Sequence, residues 1–179
     1  MKITERYEIH RRTYPFAERL NPILHDIIVE KAKTLDKGAL MTSWHCHDIK
    51  EFVVIAQWVK DFLWNVDAEN IYTPVLQGDL WSGNTEMELY NIWGQLYNKG
   101  DYQTSHVHLP HHWSFVYYVN TPPGSSPLVF THSNRKIYPK SGEVLIFPAW
   151  IRHEVPPNKC EGRTVVAGNY RFVKIDDAS

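Results

Sequence analysis

Apolar residues fall along this chain in two textures, one helical and one extended. In "NPILHDIIVEKAKTLDKG", Ile23 and Ile27, and Leu24 and Ile28, stand four apart, which gives one apolar face of a helix. Asn21 reads as its N-cap and Pro22 as its first helical position, with Lys37 and Gly38 as the stop. A second helix is predicted from near Asp48 in "DIKEFVVIAQWVKDFLWN". There Phe52, Ile55, Ala56, Val59, Phe62 and Leu63 recur at helical spacing and need a surface to cover. From about residue 86 the pattern changes to short runs rich in β-branched and aromatic residues: "EMELYNIWGQLYN", "WSFVYYVN", "SPLVFTH", "GEVLIFPAW" and "RTVVAGNYRFV". Lys99-Gly100-Asp101, Pro122-Pro123-Gly124 and Ser141-Gly142 supply the turns between them. Many short strands at this spacing predict a sandwich or jelly roll with the helices as a layer on it. The switch near residues 67–85 reads as a change of layer within one domain spanning 1–179.

Composition narrows the class. The 179 residues are 43% hydrophobic and 22% charged, in the range of a globular protein with room for a core. A formal net charge of −1 carries no basic field, so there is no nucleic-acid signal. Cys46 and Cys160 form no disulfide framework and read as thiols in a reducing compartment. No run approaches the roughly 18 apolar residues of a membrane span, and "MKITERYEIHRRTYPF" lacks the apolar core of a signal peptide. The expectation is a cytoplasmic protein.

Candidate chemistry concentrates in "SHVHLPHHWS", four of ten histidines in ten positions. Residues two apart on a strand share a face, so His106 and His108 would project together and could supply two ligands to one ion. On its own such a pair is as readily a pair of surface histidines. Downstream, the apolar run Val144 to Phe147 ends at Pro148, and His153 follows after a short turn. Arg163 opens the last strand, where it shares a face with Val165, Ala167 and Asn169. An arginine so placed can grip a carboxylate through two parallel hydrogen bonds.

His-x-His, a distant His, then an Arg ten residues on is the order of the 2-oxoglutarate- and iron(II)-dependent oxygenases. "YNKGDYQTSHVHLPHHWSFVYYVNTPPGSSPLVF" followed by "SGEVLIFPAWIRHEVPPN" resembles a small oxygenase family of this type, common among bacteria and marine phages. The likeness covers roughly residues 86–172. It rests on the Lys99-Gly100-Asp101-Tyr102-Gln103 lead-in, the His-x-His, the Ser-x-x-Tyr-Tyr strand and the Gly-Glu-x-x-x-Phe-Pro strand. The resemblance implies a cupin-like double-stranded β-helix over about 86–173, with a helical part over about 1–80. It also implies Fe(II) held by His106, His108 and His153, and 2-oxoglutarate held by Arg163, with Asn169, Tyr97 and Tyr117 as further wall residues. The implied reaction consumes dioxygen, decarboxylates 2-oxoglutarate to succinate and hydroxylates a small-molecule or peptide substrate, and the chain would be phage-encoded or bacterial. Two positions depart from the wider pattern. His108 stands where Asp or Glu is usual, and Val165 where many relatives carry a serine, so a tyrosine is expected as the second partner of the carboxylate.

Two other readings stay open on the sequence: a cupin-type three-histidine iron dioxygenase that does not use 2-oxoglutarate, and a non-catalytic jelly-roll binding or structural module. His111 and His112 read as loop residues behind the ligand strand, or as partners of a ligand. His132 reads as a rim residue. "WHCHDI", residues 44–49, could bind zinc but has no matching Cys/His pair elsewhere, and reads better as part of the substrate mouth. Trp113, Phe115 and Tyr117 alternate along one strand and form a stripe more typical of core.

Overall fold

The computed structural model describes residues 7–36, 38–70 and 85–174. Among them the chain runs β1 (His10–Thr13), α1 (Ala17–Lys31), β2 (Thr34–Asp36), β3 (Ala39–Met41) and α2 (Lys50–Asn70). It continues through β4 (Thr85–Tyr97), β5 (Gln103–His106), β6 (Trp113–Asn120), β7 (Leu128–Phe130), β8 (Arg135–Ile137), β9 (Glu143–Pro148), β10 (His153–Val155) and β11 (Arg163–Lys174). Among the described residues every strand pair is antiparallel. A seven-stranded sheet runs β1-β9-β6-β11-β4-β3-β2, and a four-stranded sheet runs β5-β10-β7-β8.

Three layers result. Both helices cover one face of the large sheet, where Leu24 and Ile28 of α1 and Phe52, Ile55, Val59 and Leu63 of α2 meet Ile92, Phe115, Tyr117 and Val166. On the other face, Tyr97, Tyr118, Leu145 and Val165 pack against Leu128, Phe130 and Val155 of the small sheet. The central strands of the large sheet are therefore buried on both sides. That is why β6, β9 and β11 read as continuous apolar runs instead of alternating ones. The α2 periodicity and the five predicted strand runs correspond to observed elements.

The predicted first helix needs correction at both ends. It starts at Ala17, with Phe16 at the cap, so Pro22 lies inside it and Asn21 is no cap. The Asn21 side chain is engaged elsewhere, accepting a 2.6 Å hydrogen bond from the Tyr117 hydroxyl across the helix–sheet interface. At the other end the chain leaves the helix after Lys31 and forms the hairpin β2–β3, which pairs Asp36 with Ala39. Gly38, with φ of +103°, serves that hairpin and is not a helix stop. The first part of the chain is thus not wholly helical, since β1, β2 and β3 all join the large sheet. Of the predicted switch near 67–85, residues 71–84 lie outside the described residues.

Candidate metal centre and cosubstrate pocket

The small sheet brings two histidines face to face. His106 closes β5 and pairs in register with His153 of β10. His108 lies just beyond β5, anchored by its backbone N–H, which donates to the Ala149 carbonyl at 2.8 Å. The ligand nitrogens of His106, His108 and His153 all lie within 4.8 Å of one another, and Nε2 of His108 is 3.3 Å from Nε2 of His153. Two nitrogens each about 2.1 Å from one ion and at right angles would stand about 3 Å apart, so this spacing suits two ligands of one ion.

Tautomers support the same arrangement at two of the three. His106 Nδ1 sits 2.7 Å from the Thr104 carbonyl, and His153 Nδ1 sits 2.9 Å from the Ile151 carbonyl. A carbonyl only accepts, so each Nδ1 carries the proton and each Nε2 presents a lone pair. His108 is different: its Nδ1 faces the Asn169 side-chain amide at 3.5 Å. Asn169 is itself tied down, accepting from the Ser114 hydroxyl at 2.6 Å and donating to Asn91 Oδ1 at 2.8 Å.

These residues line one cavity of about 200 Å³ between the sheets. Along β11 it runs from Arg163 to Asn169, opposite Tyr97 to Asn91 of β4. Arg163 is only 1% exposed, and none of its three guanidinium nitrogens has a hydrogen-bond partner among the described residues. Its Cζ lies 4.4 Å from the Tyr97 ring centroid and 5.5 Å from that of Tyr118. A buried cation resting on two aromatic faces, with its hydrogen bonds unmade, is costly unless an anion completes it. The Tyr118 hydroxyl faces this guanidinium without a well-formed hydrogen bond, and burial pushes its pKa upward against the pull of Arg163, so it stays neutral and able to donate. The Tyr97 hydroxyl donates to Gln95 Oε1 at 2.9 Å, and Gln95 Nε2 donates to Gln103 Oε1 at 3.2 Å, fixing the wall below the guanidinium.

The residues present fit both groups that the resemblance implies. Three imidazoles converge as a borderline metal requires, and an unpaired buried guanidinium with a neighbouring hydroxyl suits a small dicarboxylate. The cavity is smaller than the roughly 300–1,000 Å³ of drug-sized sites, which also favours a small acid.

Of the residues named from sequence, His106, His108, His153, Arg163, Asn169 and Tyr97 line this cavity. Tyr117 does not, and the expectation for it is corrected. Its side chain is on the helix-covered face of β6 and its hydroxyl is spent on Asn21. Strand parity gives the reason, because Tyr118 is the tyrosine on the cavity face. Sequence reasoning also missed Trp93, Gln95 and Gln103. The first two share the alternation of Asn91 and Tyr97 along β4, a signal that was available.

His111 lines the cavity too, its ring 4.5 Å from that of Tyr90. His112 is structural: its Nδ1 accepts from the Phe172 backbone N–H at 3.3 Å. Burial lowers the pKa of both, and the Arg171 and His112 charges add to the effect on His111. His132 is exposed and away from the cavity. Of "WHCHDI" only Trp44 reaches the cavity wall, and among the described residues the only cluster of three or more metal-binding side chains is the His106, His108, His153 group.

Residues 91–169, which hold all of this machinery, match the family described as "Putative 2OG-Fe(II) oxygenase". Over this segment the chain is similar to that family. Its cofactors are Fe(II) and 2-oxoglutarate, and the histidine cluster and guanidinium fit them. No curated protein sequence matches the chain. Among solved structures it is similar to the viral collagen prolyl hydroxylase of Paramecium Bursaria Chlorella virus-1 in its 2-oxoglutarate complex. The TM-score is 0.70 at 16% identity, over 93% of this chain and 96% of that one. A Pseudomonas putida prolyl-4-hydroxylase gives 0.64 at 14% identity, over 92% of each chain. A 2OG-Fe(II) family oxidoreductase from Burkholderia pseudomallei gives 0.60 at 14% identity, over 91% of this chain and 84% of that one. At such identities the likeness is one of fold.

Proposed function

We propose that this oxygenase hydroxylates a small-molecule or peptide substrate, using a metal centre of His106, His108 and His153 in the mouth of a double-stranded β-helix. The observation that carries the reading is the convergence of those three imidazoles on a cavity whose far end holds an unpaired, buried Arg163. When bound, Fe(II) supplies the means to activate dioxygen at the expense of 2-oxoglutarate. The overall balance is substrate C–H plus O₂ plus 2-oxoglutarate giving substrate C–OH, succinate and CO₂.

The chain's own residues then have distinct tasks. His106 and His153, each oriented by a backbone carbonyl, present Nε2, and His108 completes the set from the loop. Arg163 grips the distal carboxylate of 2-oxoglutarate, and Tyr118 donates to it in the place of the serine that Val165 cannot supply. Tyr97, Gln95 and Gln103 hold that end closed to water. The cytoplasm, where both cysteines stay reduced, is the setting this reading assumes. The likeness to prolyl hydroxylases makes a prolyl peptide the first substrate to assay.

The test is to load purified protein with Fe(II) and measure 2-oxoglutarate consumption, oxygen uptake and succinate together. Succinate in step with oxygen, lost in His153→Ala, is the expected result. Oxygen uptake without succinate would instead mark a three-histidine dioxygenase of another kind, and failure to bind Fe(II) would sink the enzyme reading.

A further inference from the structure

Buried polar side-chain atoms without hydrogen bonds are rare in native proteins, and each asks for an explanation. Among the described residues such atoms belong to four side chains: Arg163, Tyr118, Trp93 and His111. All four line the same cavity. Arg163 and Tyr118 are accounted for by a carboxylate, but Trp93 and His111 are not.

They also sit elsewhere in the cavity. In the β4–β11 register Tyr97 pairs with Arg163, whereas Trp93 pairs with Ala167. Four residues of strand separate the two levels, about 13 Å at about 3.3 Å per residue. Trp93 instead neighbours the metal centre, its ring 5.9 Å from that of His108. His111 is joined to the same residue, its backbone N–H donating to the His108 carbonyl at 3.0 Å. One molecule of a five-carbon diacid held at Arg163 and at the metal leaves this side of the histidines for something else.

The chemistry of that side is aromatic and uncharged. Trp93 is 3% exposed, and its Nε1–H can only donate. His111 Nδ1 can donate or accept, according to tautomer. Trp44, 39% exposed, lies with its ring 4.6 Å from that of Trp93, and Tyr90, 38% exposed, lies 4.5 Å from His111. Arg171, over the Tyr90 ring, is already paired with Glu88 at 2.6 Å. Apart from the metal ion itself, a fully charged ligand would therefore find no free opposite charge among the side chains on this side. A flat, uncharged group that offers an acceptor to the indole N–H and a partner to the imidazole nitrogen suits this aromatic lining.

The geometry points to Trp93 and His111 as the polar contacts of a second subsite, one that takes an uncharged amide group of the molecule to be oxidised. The amide carbonyl accepts from Trp93 Nε1–H, and the amide N–H donates to His111 Nδ1. This deepens the reading above, on which it rests for the role of the molecule but not for the binding chemistry. Trp44 and Tyr90 form the approach.

The test uses the metal-free protein with ¹⁵N-labelled tryptophan, observing the Trp93 indole N–H by NMR. Trp93→Phe assigns the signal, and His111→Phe, which keeps the ring against Tyr90, serves as a second variant. N-acetylglycine N-methylamide, acetamide, acetate and methylammonium are titrated separately. The expected result is a saturable shift of the Trp93 resonance with the amides and none with the ions. His111→Phe should weaken the amide about fivefold, the loss of one hydrogen bond. Tighter binding of the N-methylamide than of acetamide assigns a peptide group, and the reverse order a primary carboxamide. An unmoved Trp93 signal, or equal shifts from the ions, overturns the subsite. Displacement of the amide by 2-oxoglutarate also overturns it, because Trp93 would then belong to the cosubstrate. Failure of 2-oxoglutarate to bind the Fe(II)-loaded protein under anaerobic conditions would instead strike the oxygenase reading and leave the amide titration standing.

Discussion

Tyr117 and Tyr118 are consecutive in β6 and do opposite things. Tyr117 reaches through the helix–sheet interface to Asn21, and Tyr118 stands beside Arg163 with its hydroxyl unmade. The two conservative variants should therefore separate cleanly. Tyr118→Phe removes a donor to a charged carboxylate and should raise the 2-oxoglutarate Kd about tenfold, with the urea midpoint unchanged or slightly improved. Tyr117→Phe should leave that Kd alone and cost about 0.5–1.5 kcal/mol of stability, the worth of one interior hydrogen bond. Calorimetric titration of 2-oxoglutarate into each metal-loaded variant, beside urea unfolding, checks both halves. If Tyr117→Phe weakened the cosubstrate as much as Tyr118→Phe, the assignment of faces would be wrong. The sequence held enough to choose between them. Trp113, Phe115 and Tyr117 share a parity and read as core, and that parity already assigns Tyr118 to the opposite face. What the sequence did not hold is the Arg163 environment, because a guanidinium in an ion pair at a strand end and one sealed between two tyrosines look the same in one dimension.

At the scale of elements, the long segments were legible and the short ones were not. α2, β4, β6, β9 and β11 each carry enough apolar positions to declare their period. β5, β7, β8 and β10 are three or four residues long and take their extended shape from neighbours. His153 sits on such a strand, so its register with His106 could not be read, even though both were named as ligands. The β2–β3 hairpin was lost for a different reason: Lys37-Gly38 ends a helix or makes a turn equally well, and the partner strand decides. Gly94 of β4 shows what joins these elements. A Cβ there would lie 2.7 Å from Ile28 Cγ1 of α1 and 3.1 Å from Phe52 Cζ of α2. Both helices thus close onto the sheet at a position where no side chain fits. Gly94→Ala should cost about 1–3 kcal/mol by overpacking, seen as a lower urea midpoint. The substitution is on the helix-covered face, away from the cavity, so 2-oxoglutarate affinity measured well below the new midpoint should stay within about twofold of the parent, well under the order of 1.4 kcal/mol that a tenfold change represents.

For the whole molecule, three histidines outside the metal centre couple folding to pH in one direction. His10, His111 and His112 have pKa values lowered chiefly by burial; the Glu8 carboxylate partly opposes this at His10, and the Arg171 charge reinforces it at His111. Each is held neutral in the folded chain at a pH where the unfolded chain, with histidines near about 6.5, begins to bind protons. The unfolded state then carries the larger proton count, so stability rises with pH through this window. It is complete above about pH 6.5 and is lost as the pH falls from there toward the folded pKa values. Urea unfolding in EDTA, which removes metal from the comparison, should show a lower midpoint at pH 5.5 than at pH 7.5. His112 lets the cause be isolated, because its Nδ1 accepts a single backbone hydrogen bond from Phe172 and its lowered pKa has no cause but burial. An asparagine there can still accept that bond and cannot titrate. His112→Asn should therefore narrow the gap between the two midpoints, losing some stability at pH 7.5 and less, or none, at pH 5.5. A gap as wide in His112→Asn as in the parent would mean that the acid sensitivity lies elsewhere in the chain.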